Sequence, residues 1–233
     1  MLARVASDTV RYTSDGAMIE AFFTEPAYAT GPSSAILLLH EWWGLTERVK
    51  SLAKRLANEG FVTLAPNLYA RLGGKTAATA QEASALMSKV SSQATLRDLN
   101  AAIQWLKQQP QVDPLRLGSI GFSMGATFAL TQAIHNSDLK AVVAFYGKTP
   151  PVESLPRLLR PVLFIHAGKD AWVNKLEVDQ FREGLAKNGK PADIVSYANC
   201  DHGFFNESQP EYHREAAEDA WRRTLEFLRT HLR

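Results

Sequence analysis

The chain has 233 residues and a mass of 25.8 kDa, with 45% hydrophobic and 21% charged residues. These values exclude a disordered chain and fit one globular domain over residues 1–233. Lys and Arg number 26 against 24 Asp and Glu, a formal charge of +2, too small an excess to suggest nucleic acid or a polybasic membrane contact. The single cysteine, Cys200, excludes an intramolecular disulfide, and no Cys/His spacing resembles a metal site, so neither a metal nor a cofactor is expected. The N-terminus lacks the apolar stretch of a signal peptide, and the longest apolar run, Ala35–Leu39, is far short of the roughly 18 residues that span a membrane. The expectation is a cytoplasmic protein, a monomer or weak homodimer, with no membrane partner.

In chain order, residues 5–13 and 17–24 have strand-like spacing around Ser14-Asp15-Gly16 and predict a hairpin. Residues 35–40 are a continuous apolar run, the mark of a strand buried on both faces. Thr46–Glu59 has helical spacing through Val49, Leu52, Ala53 and Leu56, with Gly60 as C-cap. Residues 61–65 form another buried strand, stopped by Pro66. The Ala-, Ser- and Thr-rich stretch 73–95 predicts a surface connection with a short helix. Then come a helix over 96–107, a strand over 115–121, a helix over 124–134, and strands over 141–145 and 162–166. A helix over 173–187, a strand over 193–197 and a long closing helix over 212–232 complete the chain. Strand and helix alternating at this rhythm predict an α/β fold, a mostly parallel sheet with helices on both faces. Ligands of such sheets bind beyond the carboxyl ends of the strands, so chemistry is sought there.

Gly121-Phe122-Ser123-Met124-Gly125 is a G-x-S-x-G placed between a predicted strand and a predicted helix. That context makes a nucleophile elbow: the sharp turn lifts the serine hydroxyl clear of the backbone at a helix N-terminus. A serine nucleophile needs a base, and the base needs an orienting acid, in the chain order Ser, Asp or Glu, His on this type of sheet. Asp170 follows the strand 162–166 and His202 follows the strand 193–197, in that order. The other histidines fit poorly: His135 lies at a helix end, His213 and His231 on the last helix, and His166 within a strand. Asp201 adjoins His202, where neighbouring side chains on an extended loop point apart, and Asp138, Asp179 and Asp193 fall at solvated positions. The oxyanion of an acyl-transfer intermediate would take the backbone N–H of Met124 and one from the loop His40-Glu41-Trp42-Trp43-Gly44, for which Trp42 is the candidate.

With His-Glu-Trp-Trp-Gly at 40–44, Ala-Pro-Asn-Leu-Tyr at 65–69, Gly-Phe-Ser-Met-Gly at 121–125, Ala-Phe-Tyr-Gly at 144–147, Gly-Lys-Asp at 168–170 and Asp-His-Gly-Phe at 201–204, nearly the whole chain resembles the dienelactone hydrolase family. The resemblance implies an α/β-hydrolase fold in a single domain without a cap, and hydrolysis of an ester or lactone. Position 123 is Ser where dienelactone hydrolase carries Cys. Glu41 matches the glutamate implicated in activating that cysteine; beside a serine it either supports the site or locks its loop, and both readings stand. The family's arginine four residues after the catalytic His is Asn206 here, and Arg71 is the remaining candidate for holding a substrate carboxylate. Without paired arginines the balance favours a serine carboxylesterase for small, short-acyl esters, with dienelactone or another lactone as the alternative substrate and a non-catalytic binding module as a remote third. Trp42, Trp43, Tyr69, Tyr146, Trp172, Phe204 and Phe205 fall at or just after strand ends, where an aromatic substrate pocket would form, each with core packing as the alternative. The segment joining 145 to 162, rich in proline, has room for one short helix, so no cap is expected. Cys200 reads as a small buried hydrophobe.

Overall fold

A computed structural model describes residues 5–158 and 160–233. Its strands are β1 (Ala6–Ser14), β2 (Ala17–Glu25), β3 (Ser33–Leu39), β4 (Val62–Pro66), β5 (Val112–Phe122), β6 (Leu139–Phe145), β7 (Val162–Ala167) and β8 (Ala192–Tyr197). Its helices are α1 (Glu47–Asn58), α2 (Ala80–Met87), α3 (Ser92–Lys107), α4 (Met124–His135), α5 (Lys175–Lys187) and α6 (Arg214–His231). Short 3-10 turns cover Ala70–Leu72 and Val152–Arg157. The chain divides into two compact units between Gly118 and Ser119, and β5 runs through the division.

In the first unit the strand order is β1-β2-β4-β3, followed by the start of β5. The hairpin β1–β2 is antiparallel with Ser14 opposite Ala17; its two-residue turn puts Asp15 and Gly16 at φ 47 and 74, the twist that a tight hairpin needs. β2 pairs antiparallel with β4, and β3 pairs parallel with β4. β3 from Ala35 to Leu39 is wholly buried, which explains why it is apolar at every position rather than at alternate ones. Helix α1 buries Val49, Leu52, Ala53, Leu56 and Ala57 against β4 and β2. These positions recur every three or four residues, as one face of a helix requires.

In the second unit the end of β5 is followed by β6, β7 and β8 in chain order, with β6–β7 and β7–β8 parallel. β6 and β7 are buried along nearly their whole length. Helix α4 packs on β6, and α6 packs on β6 and β7 through Ala217, Trp221, Leu225 and Leu228 among others. The eight strands are mostly parallel and alternate with helices, as expected from the sequence. The boundaries differ most at two places. Helix α3 begins at Ser92, four residues before its apolar periodicity, because the Ser91 hydroxyl caps it by accepting from the Ala94 N–H at 3.3 Å. β5 begins at Val112 and carries Pro114 near its start, a residue that argues against a strand when read alone. Among the described residues no helix is long and apolar enough to cross a membrane.

Candidate active site

The corner between β5 and α4 is sterically demanding. Ser123 sits at φ 50 and ψ −115, a region that costs a non-glycine residue on the order of 1–3 kcal/mol and persists only where the surroundings enforce it. They do so through hydrogen bonds: the Ser123 N–H donates to the Phe145 carbonyl at 2.9 Å, and the Thr127 N–H donates to the Ser123 carbonyl at 3.1 Å as α4 begins. A Cβ on Gly121 would lie 2.4 Å from the Gly125 carbonyl oxygen, so the strand and the first turn of the helix approach closely only because position 121 has no side chain.

The Ser123 Oγ lies 2.7 Å from the His202 Nε2, and the His202 Nδ1 lies 2.7 Å from the Asp170 Oδ2. All three belong to the second unit. Asp170 follows β7 and is buried, and its other oxygen, Oδ1, accepts from the N–H groups of Trp172 and Val173 at 2.7 and 3.0 Å. Those two bonds aim Oδ2 at the imidazole. Nδ1 faces a carboxylate oxygen, which accepts, so Nδ1 is the donor there and Nε2 is left as an acceptor for the serine hydroxyl. Met124, the first residue of α4, places its N–H at the positive end of a helix of twelve residues.

Around His202 the aromatic residues expected to line a pocket are packed together. Tyr146, Phe204 and Phe205 are buried; Phe205 stacks on Phe122 at 5.2 Å and tilts against Phe145 at 4.9 Å. Tyr146 lies 5.0 Å from the His202 ring and 5.7 Å from Phe204. Trp172 differs: its side chain is 60% exposed, on the loop that carries Asp170. Three further histidines have other occupations. His166 is buried between the Ser196 hydroxyl and the Val173 carbonyl, and burial lowers its pKa. His213 caps α6 by accepting from the Ala216 N–H, and His231 packs on Phe227. Cys200 is buried, and burial pushes its thiol up, away from thiolate character.

In the first unit the loop after β3 is held by His40. Its Nδ1 donates to the Glu41 carbonyl at 2.6 Å and its Nε2 accepts from the Leu68 N–H at 2.9 Å, so the two backbone partners select one neutral tautomer. Burial lowers its pKa to about 4. Glu41 is itself buried, Trp42 stacks edge-on against Trp43 at 5.3 Å, and the Trp42 carbonyl accepts from the Tyr69 hydroxyl at 2.7 Å. Tyr69 is fully buried, and desolvation raises its pKa. Arg71 is committed to protein partners: Nε and Nη2 hold the two Asp98 oxygens, each at 2.8 Å, and Nη2 also donates to the Ser14 carbonyl at 2.8 Å. The pairing with Asp98, 27 residues on, has no local signal in the sequence, which leaves Arg71 there as a candidate substrate ligand. Asn206 is buried, and its side-chain oxygen accepts from the Ser208 N–H and hydroxyl. No group of three or more His, Cys, Asp or Glu able to hold a metal ion occurs among the described residues.

Comparison with known proteins agrees with this architecture. A protein of Methylorubrum extorquens provisionally named a carboxymethylenebutenolidase is 33% identical over 232 residues, covering 94% of this chain and 79% of its own. A similarly named protein of Escherichia coli K12 is 31% identical over 228 residues, covering 93% of this chain and 84% of its own. A crystal structure from Klebsiella pneumoniae, provisionally named a dienelactone hydrolase, superposes with a TM-score of 0.90 at 31% identity, over 97% of this chain and 99% of that one. The family described as the dienelactone hydrolase family matches residues 19–232. The chain therefore belongs to the dienelactone hydrolase family, has the α/β-hydrolase fold, and is a hydrolase of ester or lactone bonds.

Proposed function

We propose that the chain is a serine carboxylesterase acting on small, short-acyl esters through Ser123, His202 and Asp170. The observation that carries this reading is the unbroken run of two 2.7 Å hydrogen bonds from the strained Ser123 to the buried Asp170. His202 Nε2 takes the Oγ proton as Oγ attacks the ester carbonyl, and Asp170 stabilises the imidazolium that results. The tetrahedral oxyanion is met by the Met124 N–H at the start of α4. The imidazolium then returns its proton to the departing alkoxide. Water, deprotonated by His202, attacks the acyl-enzyme; Ser123 recovers its proton and the carboxylic acid leaves.

Two features favour uncharged substrates. The Arg71 guanidinium is already paired with Asp98 on both carboxylate oxygens, and position 206, where the family's arginine would stand, holds an asparagine engaged in its own turn. Neither position therefore offers a substrate carboxylate a free guanidinium for bidentate pairing. Among its described residues the segment 146–161 holds the single 3-10 turn Val152–Arg157, which favours an uncapped site and short acyl chains. Hydrolysis of a lactone, a cyclic ester, uses the same steps and is the second reading, favoured by the names of the relatives.

The test is a p-nitrophenyl ester series from acetate to dodecanoate, run beside dienelactone on the wild type and Ser123→Ala. The expected result is turnover greatest at short chains, weak action on dienelactone, and a loss of at least about 1,000-fold in Ser123→Ala. Turnover in Ser123→Ala near the wild-type rate would overturn the serine mechanism; dienelactone outpacing every ester would replace the substrate class.

A further inference from the structure

We propose that Tyr146 is a positioning residue for His202, whose ring holds the imidazole in register and favours its protonated form. This rests on the reading of His202 as the base. Apart from Asp15 in its tight turn, Ser123 and Tyr146 are the non-glycine residues at positive φ among the described residues, and they end adjacent strands of the second unit. Tyr146 adopts φ 41. A bulky aromatic residue pays a steric cost there, and its surroundings account for how it is kept.

The Tyr146 N–H donates to the Ile165 carbonyl at 2.7 Å, which ties the corner to β7. The next residue, Gly147, has no side chain, and a Cβ there would lie 2.5 Å from the Ala126 Cβ on the first turn of α4. The Lys148 N–H then donates to the Thr127 hydroxyl at 3.1 Å. The corner after β6 is thus fastened to the same helix turn that carries the nucleophile. Its consequence is the direction of the ring. Tyr146 is fully buried, wedged among Phe122 at 6.3 Å, Phe145 at 6.0 Å and Phe204 at 5.7 Å, with His202 at 5.0 Å and 58°. An ordinary backbone at 146 would send the side chain elsewhere.

The chemistry follows from the charge that His202 gains. During attack the imidazole becomes imidazolium, and a cation within about 6 Å of an aromatic centroid is attracted by the ring quadrupole. Asp170 holds one edge of the imidazole and Ser123 the other, and neither prevents the ring from rolling about the axis between them. Tyr146 packs on it and limits that motion. The side chain of His202 is one-quarter exposed, so its surroundings do not enclose it completely.

The experiment keeps the shape at 146 and changes the ring's charge distribution. Tyr146→Phe is the reference, and the same position carrying pentafluorophenylalanine is the probe. The readout is the acidic limb of kcat/KM against pH, which reports protonation of the base in the free enzyme. The expected result is a limb about half a pH unit lower in the fluorinated protein than in the Phe reference, with a lower kcat and KM within about threefold. Tyr146→Leu, which removes the ring, is expected to lower kcat about tenfold or more; should it fail to fold, the fluorinated pair decides alone. Identical limbs in that pair overturn the proposal. If Ser123→Ala remains active, the esterase reading fails first; if Ser123→Ala is dead and the limbs coincide, only the role of Tyr146 falls.

Discussion

Asp170 illustrates how much a single carboxylate can be constrained. Its Oδ1 is an acceptor for two backbone N–H groups, and only Oδ2 faces His202. An asparagine there must keep its carbonyl oxygen on those two donors, which turns its NH₂ toward His202 Nδ1. Nδ1 would then have to accept, the proton would move to Nε2, and the imidazole could no longer take the serine proton. On the proposed mechanism Asp170→Asn is expected to lose about 10⁴-fold in kcat while folding normally, as measured by ester turnover and circular dichroism. A variant that kept a tenth of the activity would show that the amide flips against its backbone donors. The site's dependence on such pairings also explains which parts of it can be read from sequence. The G-x-S-x-G corner, Asp170 and His202 are legible because each follows its own strand. The commitment of Arg71 to Asp98, the two backbone bonds of His40 and the positive φ of Tyr146 are not, since each depends on partners brought together only by folding.

The elements differ in what stabilises them. Helix α1 buries five residues and stands on its packing. Helix α2 buries only Ala83, so its ends matter more. The Thr79 hydroxyl accepts from the Glu82 N–H at 3.2 Å, and the Glu82 carboxylate reaches back to the Ala78 N–H at 2.8 Å, a reciprocal closure of the first turn. Thr79→Ala removes one half of it, at a cost of about 1 kcal/mol, comparable to the whole burial gain of a small alanine. Hydrogen exchange of the α2 amides is expected to quicken about fivefold in Thr79→Ala with the global unfolding midpoint little changed; unchanged exchange would mean that packing, not the cap, holds α2. The same logic accounts for the elements that periodicity alone mislocates. Apolar spacing marks the buried face of α3 from Leu96 onward, but the polar first turn from Ser92 is supported by a cap and leaves no hydrophobic trace. Buried strands such as β3, β6 and β7 are unmistakable because both faces are covered and their buried positions are almost all apolar.

Summed over the chain, the shifted groups predict how the protein meets acid. His40 has a folded pKa of about 4 against an ordinary 6.5, so the unfolded chain binds its proton first. Stability from its neutral form is complete above about pH 6.5 and is lost as pH falls toward 4, by about 3 kcal/mol in all. His166, also lowered by burial, acts in the same direction. Asp219, held at about 2 by Arg223, Tyr197 and Arg222, contributes stability above the usual carboxylate range that is lost only as pH falls through about 2. The expectation is two stages, histidines before carboxylates. Urea unfolding between pH 7.5 and 4 should show a steeper loss in wild type than in His40→Gln, which starts less stable; parallel profiles would remove His40 from the first stage.

The outermost strands carry a different kind of consequence. Among the described residues β1 pairs only with β2, and β8 only with β7. Each therefore presents an outer edge to any other extended chain it meets, although on β1 the Thr9 N–H already donates to Asp8 Oδ1 at 2.7 Å. β1 carries charge on that edge, with Asp8 exposed and Arg11 paired to Glu20 directly across the hairpin, and β8 carries the exposed Asp193. Docking a foreign strand would strip water from these charges. The charges on these edge strands thus make edge-to-edge growth into fibres unfavourable.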